Sequence, residues 1–278
     1  MTEEEFQATA KKFAEDNAAD LFIYKGPFDL NDGFKAIRYL SDFAYSENLN
    51  FYLLTSGGDA DAAYQMARFL QRKYKKIILH VIANCKSAGT LLAIAANEIV
   101  MAETGELGPL DVQLIKTDHL WDRDSGLNVI EALDSLDVRT RAFYEKMFLD
   151  LQRNSNGTIS LKTASSMANS LTKDLYGVIY SQIEPTHFGE VSRAMKIAEK
   201  YAERLEAKSK NLKEDARERL SSSYPSHSFC IDKEEAKDIF KNVRDPLEPE
   251  KVFDVFLLKN LRNSTFSKFY SSAKALEQ

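Results

Sequence analysis

Two short segments carry residue types that could do chemistry. Thr55-Ser-Gly-Gly-Asp59 follows the apolar run 49–54, and Asn84-Cys-Lys-Ser-Ala-Gly89 follows the run 77–82. Paired glycines after a buried strand allow backbone conformations closed to other residues and let main-chain N–H groups approach a ligand closely. A tight strand-to-helix turn with no ligand has the same composition. Ser87, directly before an Ala-rich helical stretch, is either a helix N-cap or a nucleophile at the carboxyl end of a strand, beside a helix N-terminus. In a parallel sheet both segments lie on one edge, so the amides of one can face the serine of the other. That is the arrangement of a nucleophile beside an oxyanion hole. Cys85, on the same turn, is a second candidate nucleophile but faces another direction.

The elements that position these segments are read from periodicity. Residues 21–24, 49–54, 77–82 and 99–101 form short apolar runs of strand type. Between them lie an amphipathic stretch 29–46 with Phe34, Ile37, Leu40 and Phe43 on one face, and a helix opened by Asp59 with Ala63, Met66, Ala67 and Leu70. Arg72, Lys73, Lys75 and Lys76 close that helix as its dipole favours. A small apolar helix follows Ser87. Strands alternating with helices across short connections predict an α/β fold with a largely parallel sheet covered by helices. Residues 125–151 and 161–207 keep helical periodicity with no strand-like run between, which predicts an added helical layer over about 126–215. The highly charged stretch 196–218 reads as a solvated helix with a narrow apolar stripe. Residues 154–158 form a loop, 245–249 a second break, and about 250–278 a C-terminal helical tail that ends in Ser-rich sequence.

Composition excludes several function classes. The chain has 278 residues, 37 Lys+Arg against 42 Asp+Glu, a formal charge of −5, and 44% hydrophobic residues. A chain of this size can bury a large core without metal or disulfide. Its mild acidity argues against a duplex nucleic-acid binder and against a polybasic membrane anchor. Two cysteines far apart are neither a disulfide framework nor a zinc site and suit a reducing compartment. The acidic N-terminal stretch is unlike a signal peptide, and no apolar run approaches the length that spans a bilayer. The expectation is a soluble cytoplasmic protein. Asn156-Gly-Thr and Asn263-Ser-Thr are then chance sequon matches.

The segments TSGGDADAAYQMARFL and CKSAGTLLAIAANEIVMAETGELGPLDVQ together resemble the Clp-protease and crotonase-fold serine peptidases. Within that group the chain is most similar to the serine dehydrogenase proteinase family, related to signal peptide peptidase A. The stretch YPSHSFCIDKEEAK, residues 224–237, resembles a late segment of the same fold. The resemblance implies a spiral of ββα units in a single domain 1–278. It implies Ser87 as nucleophile and the backbone amides of Gly58 and Ala88 as oxyanion donors. In Clp-type peptidases a histidine follows the serine at the spacing where this chain has Asp111, and an aspartate precedes the late helix where this chain has His227. The two partners look exchanged. Since a triad is defined by geometry and not by chain order, Ser87, His227 and Asp111 can form a set with His227 as base and Asp111 as its orienter.

The signal-peptide-peptidase relatives use a lysine base, which requires burial to depress its pKa by several units. Lys116, Lys146 and Lys162 are the candidates, none in a motif that singles it out, and Lys86 should point away from its neighbour Ser87. His119 could line the cleft. His80 reads as a core or edge residue, and His187 as a helix breaker. Asp118, His119 and Asp122 lack the ligand spacing of a recognised metal site. The expected activity is peptide-bond hydrolysis through an acyl-enzyme, without cofactor or metal, on a protein or peptide substrate, by a homo-oligomer whose helical layer is the assembly surface. Two other readings remain open: an acyl-CoA hydratase or isomerase on the same scaffold, which needs no serine nucleophile, and an inactive scaffold or binding protein.

Overall fold

The computed structural model describes residues 3–30, 37–38, 40, 46–110, 113–115, 123–226, 228–260 and 266–270. Contacts divide the chain into a unit of residues 1–112 with 195–278 and a unit of 113–194. The first unit is built on a six-stranded sheet in the order β10-β1-β2-β3-β5-β9. Its strands are β1 (Asp20–Lys25), β2 (Asn48–Leu54), β3 (Lys76–Val81), β5 (Glu98–Met101), β9 (Val243–Arg244) and β10 (Phe266–Tyr270). All neighbouring pairs are parallel except β10, which runs antiparallel to β1. The α/β class with a parallel sheet, expected from the alternating runs, is borne out.

Both faces of the sheet are buried, which is why its strands read as continuous apolar runs. Phe22, Tyr24, Phe51, Leu53, Leu79, Val81 and Ile99 belong to one core. The same core takes in Ala63, Met66, Ala67 and Leu70 of helix α2 (Ala60–Lys73) and Leu91, Leu92 and Ile94 of α3 (Ala88–Ala95). Alternate residues Leu21, Ile23 and Tyr52 turn to the other face and meet Phe6, Ala10 and Phe13 of α1 (Glu3–Asp16), and Phe253 and Leu257 of α9 (Glu248–Asn260). His80 lies within this second layer, fully buried, stacked on Tyr52 with ring centroids 4.1 Å apart and with Nε2 2.9 Å from Asn50 Oδ1. Burial drives its pKa down to about 3, so it is a neutral core residue, as its place in a strand predicted.

A second, small sheet lies beyond the carboxyl ends of the main strands. It pairs β4 (Asn84–Cys85) with β6 (Glu106–Leu107) in parallel. Single bridges extend it from Phe28–Gly58 through Thr55–Cys85 to Leu107–Ile231. The remaining helices of the first unit are α7 (Ala216–Ser222) and α8 (Lys233–Ile239); α6 (Pro185–Ser209) belongs to it from residue 195 onward. Along α6, Ala198, Ala202 and Leu205 form the narrow buried stripe expected of a mostly solvated helix. Of the expected helical tail, Glu248–Asn260 is helix but residues 266–270 form a strand, because the edge of β1 offers backbone groups to a Phe-Ser-Lys-Phe-Tyr run.

The second unit contains the antiparallel pair β7 (Gln113–Ile115) and β8 (Arg123–Ser125), then α4 (Gly126–Asn154), α5 (Leu161–Tyr180) and the start of α6. Ser160 caps α5 by accepting from Thr163 N–H at 3.1 Å. Small residues Ala164, Ala168 and Thr172 are buried along one side of α5. The Tyr144 and Ser165 hydroxyls, 3.0 Å apart, tie α4 to α5. The expected helical layer is present as these long helices.

Candidate active site

The site is assembled where the two glycine- and serine-bearing loops are stitched together. Thr55, the first residue after β2, donates its N–H to Asn84 O at 2.7 Å and accepts from Lys86 N–H at 3.0 Å. The second loop is therefore held in register beside the first. The Thr55 hydroxyl then fixes the glycines, accepting from Gly57 N–H at 3.0 Å. From the other side, Phe28 N–H donates to Gly57 O at 2.7 Å and Asp59 N–H donates to Phe28 O at 2.8 Å. Gly57 and Gly58 have φ of +110° and +130°, which side chains rarely tolerate. Neither has room for one: a Cβ at Gly58 would lie 2.2 Å from Phe28 O, and one at Gly57 would lie 2.7 Å from Ser87 Cβ and 3.1 Å from Ser87 Oγ. Glycine at 57 thus permits the close approach of this loop to Ser87, and glycine at 58 its approach to Phe28.

Ser87 adopts φ 53°, ψ −116°, a region that costs a non-glycine residue on the order of 1–3 kcal/mol. It is 7% exposed, and its side chain makes no capping bond to α3. A serine that only capped the helix would have an extended backbone and a hydroxyl turned back to the helix amides, as Asp59 and Asp232 do for α2 and α8. The strained strand-turn-helix geometry is that of a nucleophile elbow. Gly89, two residues on, is required by contact: a Cβ there would meet Thr55 Cγ2 at 2.7 Å and Cys85 Sγ at 3.0 Å.

Gly58 and Ala88, the expected oxyanion donors, directly follow Gly57 and Ser87 on the two loops. Among the described residues neither N–H donates to a backbone or side-chain acceptor, whereas Gly89 N–H is taken by Lys86 O at 2.9 Å and Thr90 N–H by Ser87 O at 2.8 Å. Cys85 is excluded as a nucleophile. It is fully buried, and burial pushes its thiol well above the usual range.

Asp111, Lys116, His119 and His227 lie outside the described residues. Their neighbours are placed, however. Gly108 O accepts from the Thr90 hydroxyl at 2.7 Å, and Leu110 N–H donates to Leu220 O at 2.9 Å, which brings the chain before Asp111 to the first turn of α3. Ser228 follows His227, and its carbonyl accepts from Lys86 Nζ at 3.4 Å. Lys86 itself is paired with Glu106 at 2.8 Å, consistent with its pointing away from Ser87. Lys146 and Lys162 lie on α4 and α5 of the second unit. Among the described residues no group of three or more His, Cys, Asp or Glu could hold a metal ion.

Sequence reasoning singled out the glycines and Ser87 but missed Thr55 as their anchor, Phe28 as their brace, and the Lys86–Glu106 pair. Only the threonine had a signal, its position at the junction of strand and glycine pair.

The first unit thus combines a parallel sheet, a strained serine before a small apolar helix, and a glycine loop packed on that serine. Residues 21–143 match the sequence profile of the family described as ClpP-like SDH-type serine proteinase, bearing out the resemblance to the serine dehydrogenase proteinases. No curated protein matches. Among solved structures, the chain is similar to a serine-to-alanine mutant of the 1510-N membrane-bound stomatin-specific protease at 21% identity and TM-score 0.33, covering 51% of this chain and 65% of that one. A lysine-to-alanine mutant of the same protease with a substrate peptide gives the same identity and TM-score over 51% and 62%. A mutant of ClpP1 from Listeria monocytogenes gives 12% identity and TM-score 0.30 over 59% and 81%. The chain thus spans less than two thirds of the length of the stomatin-specific protease chains. Among the described residues no helix is long and apolar enough to cross a membrane.

Proposed function

We propose that this chain is a serine peptidase acting on a protein or peptide substrate. Ser87 Oγ attacks the scissile carbonyl carbon, and its proton passes to the imidazole of His227. The Gly58 and Ala88 amides hold the resulting oxyanion. His227 then protonates the departing amine. Water, deprotonated by the same imidazole, attacks the acyl carbon; the bond to Ser87 Oγ breaks, the imidazolium returns its proton to that oxygen, and Asp111 orients the ring throughout. The observation that carries this reading is the strained backbone of Ser87, whose hydroxyl lies against Gly57 instead of capping α3. Neither step calls on a cofactor.

The test is labelling with a fluorophosphonate, read by mass spectrometry of the modified peptide. Adduct on Ser87, absent in Ser87→Ala and at least tenfold slower in His227→Ala, is the expected result. No adduct on folded protein would sink the peptidase reading and leave a hydratase-type enzyme or an inactive scaffold. Adduct formation unchanged in His227→Ala would shift the base to Lys116, Lys146 or His119.

We also infer that the chain is a cytoplasmic homo-oligomer, read as one domain over 1–278 with the helical layer inserted. Free thiols at Cys85 and Cys230 suit a reducing compartment. For assembly, Met167, Leu171, Leu175, Val178 and Ile179 of α5 are each 45–61% exposed. At helical spacing they share an arc of about 120°, the width a core-facing stripe normally has. With Leu161 and Tyr180 they present roughly 600 Å², at the upper end of what a monomer leaves open and close to one partner's share of a stable interface. An antiparallel two-fold pairing of α5 sets Met167 against Ile179 and Leu171 against Leu175, covering the stripe with itself.

A further inference from the structure

We propose that the Lys86–Glu106 ion pair is a clamp that holds the segment carrying His227 against the nucleophile turn, so that Lys86 is a positioning residue for the reaction. This rests on the reading of His227 as the base.

Lys86 immediately precedes Ser87, and three contacts fix where its ammonium goes. Its stem packs on the backbone at Gly108, where an added Cβ would lie 3.1 Å from Lys86 Cβ. Its Nζ sits 2.8 Å from Glu106 Oε2 on β6 and donates to Ser228 O at 3.4 Å. The Glu106 carboxylate, held below the usual carboxylate range by the hydrogen bond from Lys86, also accepts from the Cys230 thiol. Leu107, next to Glu106, closes an antiparallel bridge with Ile231 through N–H···O bonds of 2.9 and 3.0 Å. The ion pair therefore grips the chain at 228 and at 230, just beyond His227, while the adjacent bridge fixes 231.

With side chains 19% and 38% exposed the pair is partly buried, and desolvation offsets much of its Coulombic gain, so the pair needs another reason to sit beside the catalytic serine. Holding two strand ends in register supplies one. An ammonium has three donors, enough to serve a carboxylate and a carbonyl together. Misplacing a reacting group by about 1 Å can cost on the order of 10²-fold in rate. Removing the clamp should therefore act on the chemical step more than on substrate binding.

The experiment compares the full-length protein with Lys86→Met, Lys86→Arg, Glu106→Gln and the Lys86→Met/Glu106→Gln double variant. It measures the second-order rate of fluorophosphonate labelling across pH, together with the thermal midpoint. Lys86→Met should label 10- to 100-fold more slowly at a near-unchanged midpoint, with its pH dependence flattened because the imidazole no longer meets Ser87 squarely. Lys86→Arg should recover part of the rate, and the double variant should be no slower than Lys86→Met alone, as expected of groups acting as one unit. Lys86→Met labelling within twofold of the parent overturns the clamp. So does slower labelling that tracks a lowered midpoint and keeps the parent's pH profile. If His227→Ala labels like the parent, the base assignment fails; if it is slow while Lys86→Met is not, the clamp alone fails.

Discussion

Gly57→Ala isolates the contact on which the site depends. The new methyl would lie 2.7 Å from Ser87 Cβ, 3.1 Å from Ser87 Oγ and 3.1 Å from Lys86 O. Carbon atoms in contact sit about 3.5–4.0 Å apart, so the serine or the glycine loop must retreat by roughly 1 Å. Both neighbours are held in place: Gly57 by the Thr55 hydroxyl and the Phe28 N–H, Ser87 by the turn between β4 and α3. A displacement of that size at the nucleophile should slow the reaction on the order of 10²-fold, about 2.7 kcal/mol in the barrier. The φ of +110° adds backbone strain of about 1–2 kcal/mol, which lowers stability without touching the chemistry. Gly157→Ala separates the two effects, because Gly157 also has positive φ, +78°, yet nothing lies within 4 Å of the added methyl. The assay is the fluorophosphonate labelling rate of folded protein, with thermal midpoints for all three forms. Gly157→Ala should lose a few degrees and label normally; Gly57→Ala should lose stability and label about a hundredfold more slowly. Folded Gly57→Ala that labels within threefold of the parent would refute the claim that this contact sets the nucleophile.

Three further outcomes follow from the structure. Gly89→Ala forces a methyl 2.7 Å from Thr55 Cγ2 in a helix whose φ is ordinary, so it should cost about 1–3 kcal/mol by overpacking, read as a lowered denaturation midpoint, and slow labelling as the turn shifts. Asp254, 5% exposed on α9, has its pKa raised to about 7 by burial, with Glu250 adding to the rise; His80 in the same layer is lowered to about 3. The raised carboxyl contributes stability that is complete below about 4 and is lost as pH climbs through 7, whereas the histidine contributes stability above about 6.5 that is lost as pH falls. Between about pH 4 and 6.5 the two trends oppose each other, so Asp254→Asn should leave the histidine's alone and its thermal midpoint should rise with pH over that window more steeply than the parent's; the same profile in both proteins would contradict the assignment. If the proposed homo-oligomer pairs through α5, the parent should sediment as an oligomer and Leu175→Asp as a folded monomer in analytical ultracentrifugation; equal sedimentation coefficients would remove α5 as the assembly face.

Much of the fold was legible because its signals are local. Strands β1, β2, β3 and β5 read as apolar runs since both sheet faces are buried, and α2 announced itself through Asp59 and a 3.6-residue apolar stripe. Strands β4, β6 and β9 escaped detection because two residues carry no period. Strand β10 escaped because its pairing with β1 spans most of the chain. At the site, a glycine pair and a serine after buried strands were enough to name the two loops, and residue types alone could not separate a cap from a nucleophile.

The sequence by itself determined which atoms are available: a hydroxyl at 87, backbone amides on the two loops, glycines where a side chain would intrude, and a mildly acidic net charge of −5. The tertiary structure decided that Ser87 is held at φ 53° with its hydroxyl against Gly57, that Cys85 is buried out of reach, and that Lys86 turns away to Glu106 and Ser228. The physical reason is that backbone strain and close contact are imposed by neighbours distant in the chain, Phe28, Thr55 and the 228–231 segment. No local pattern of residue types records how those neighbours press on a turn.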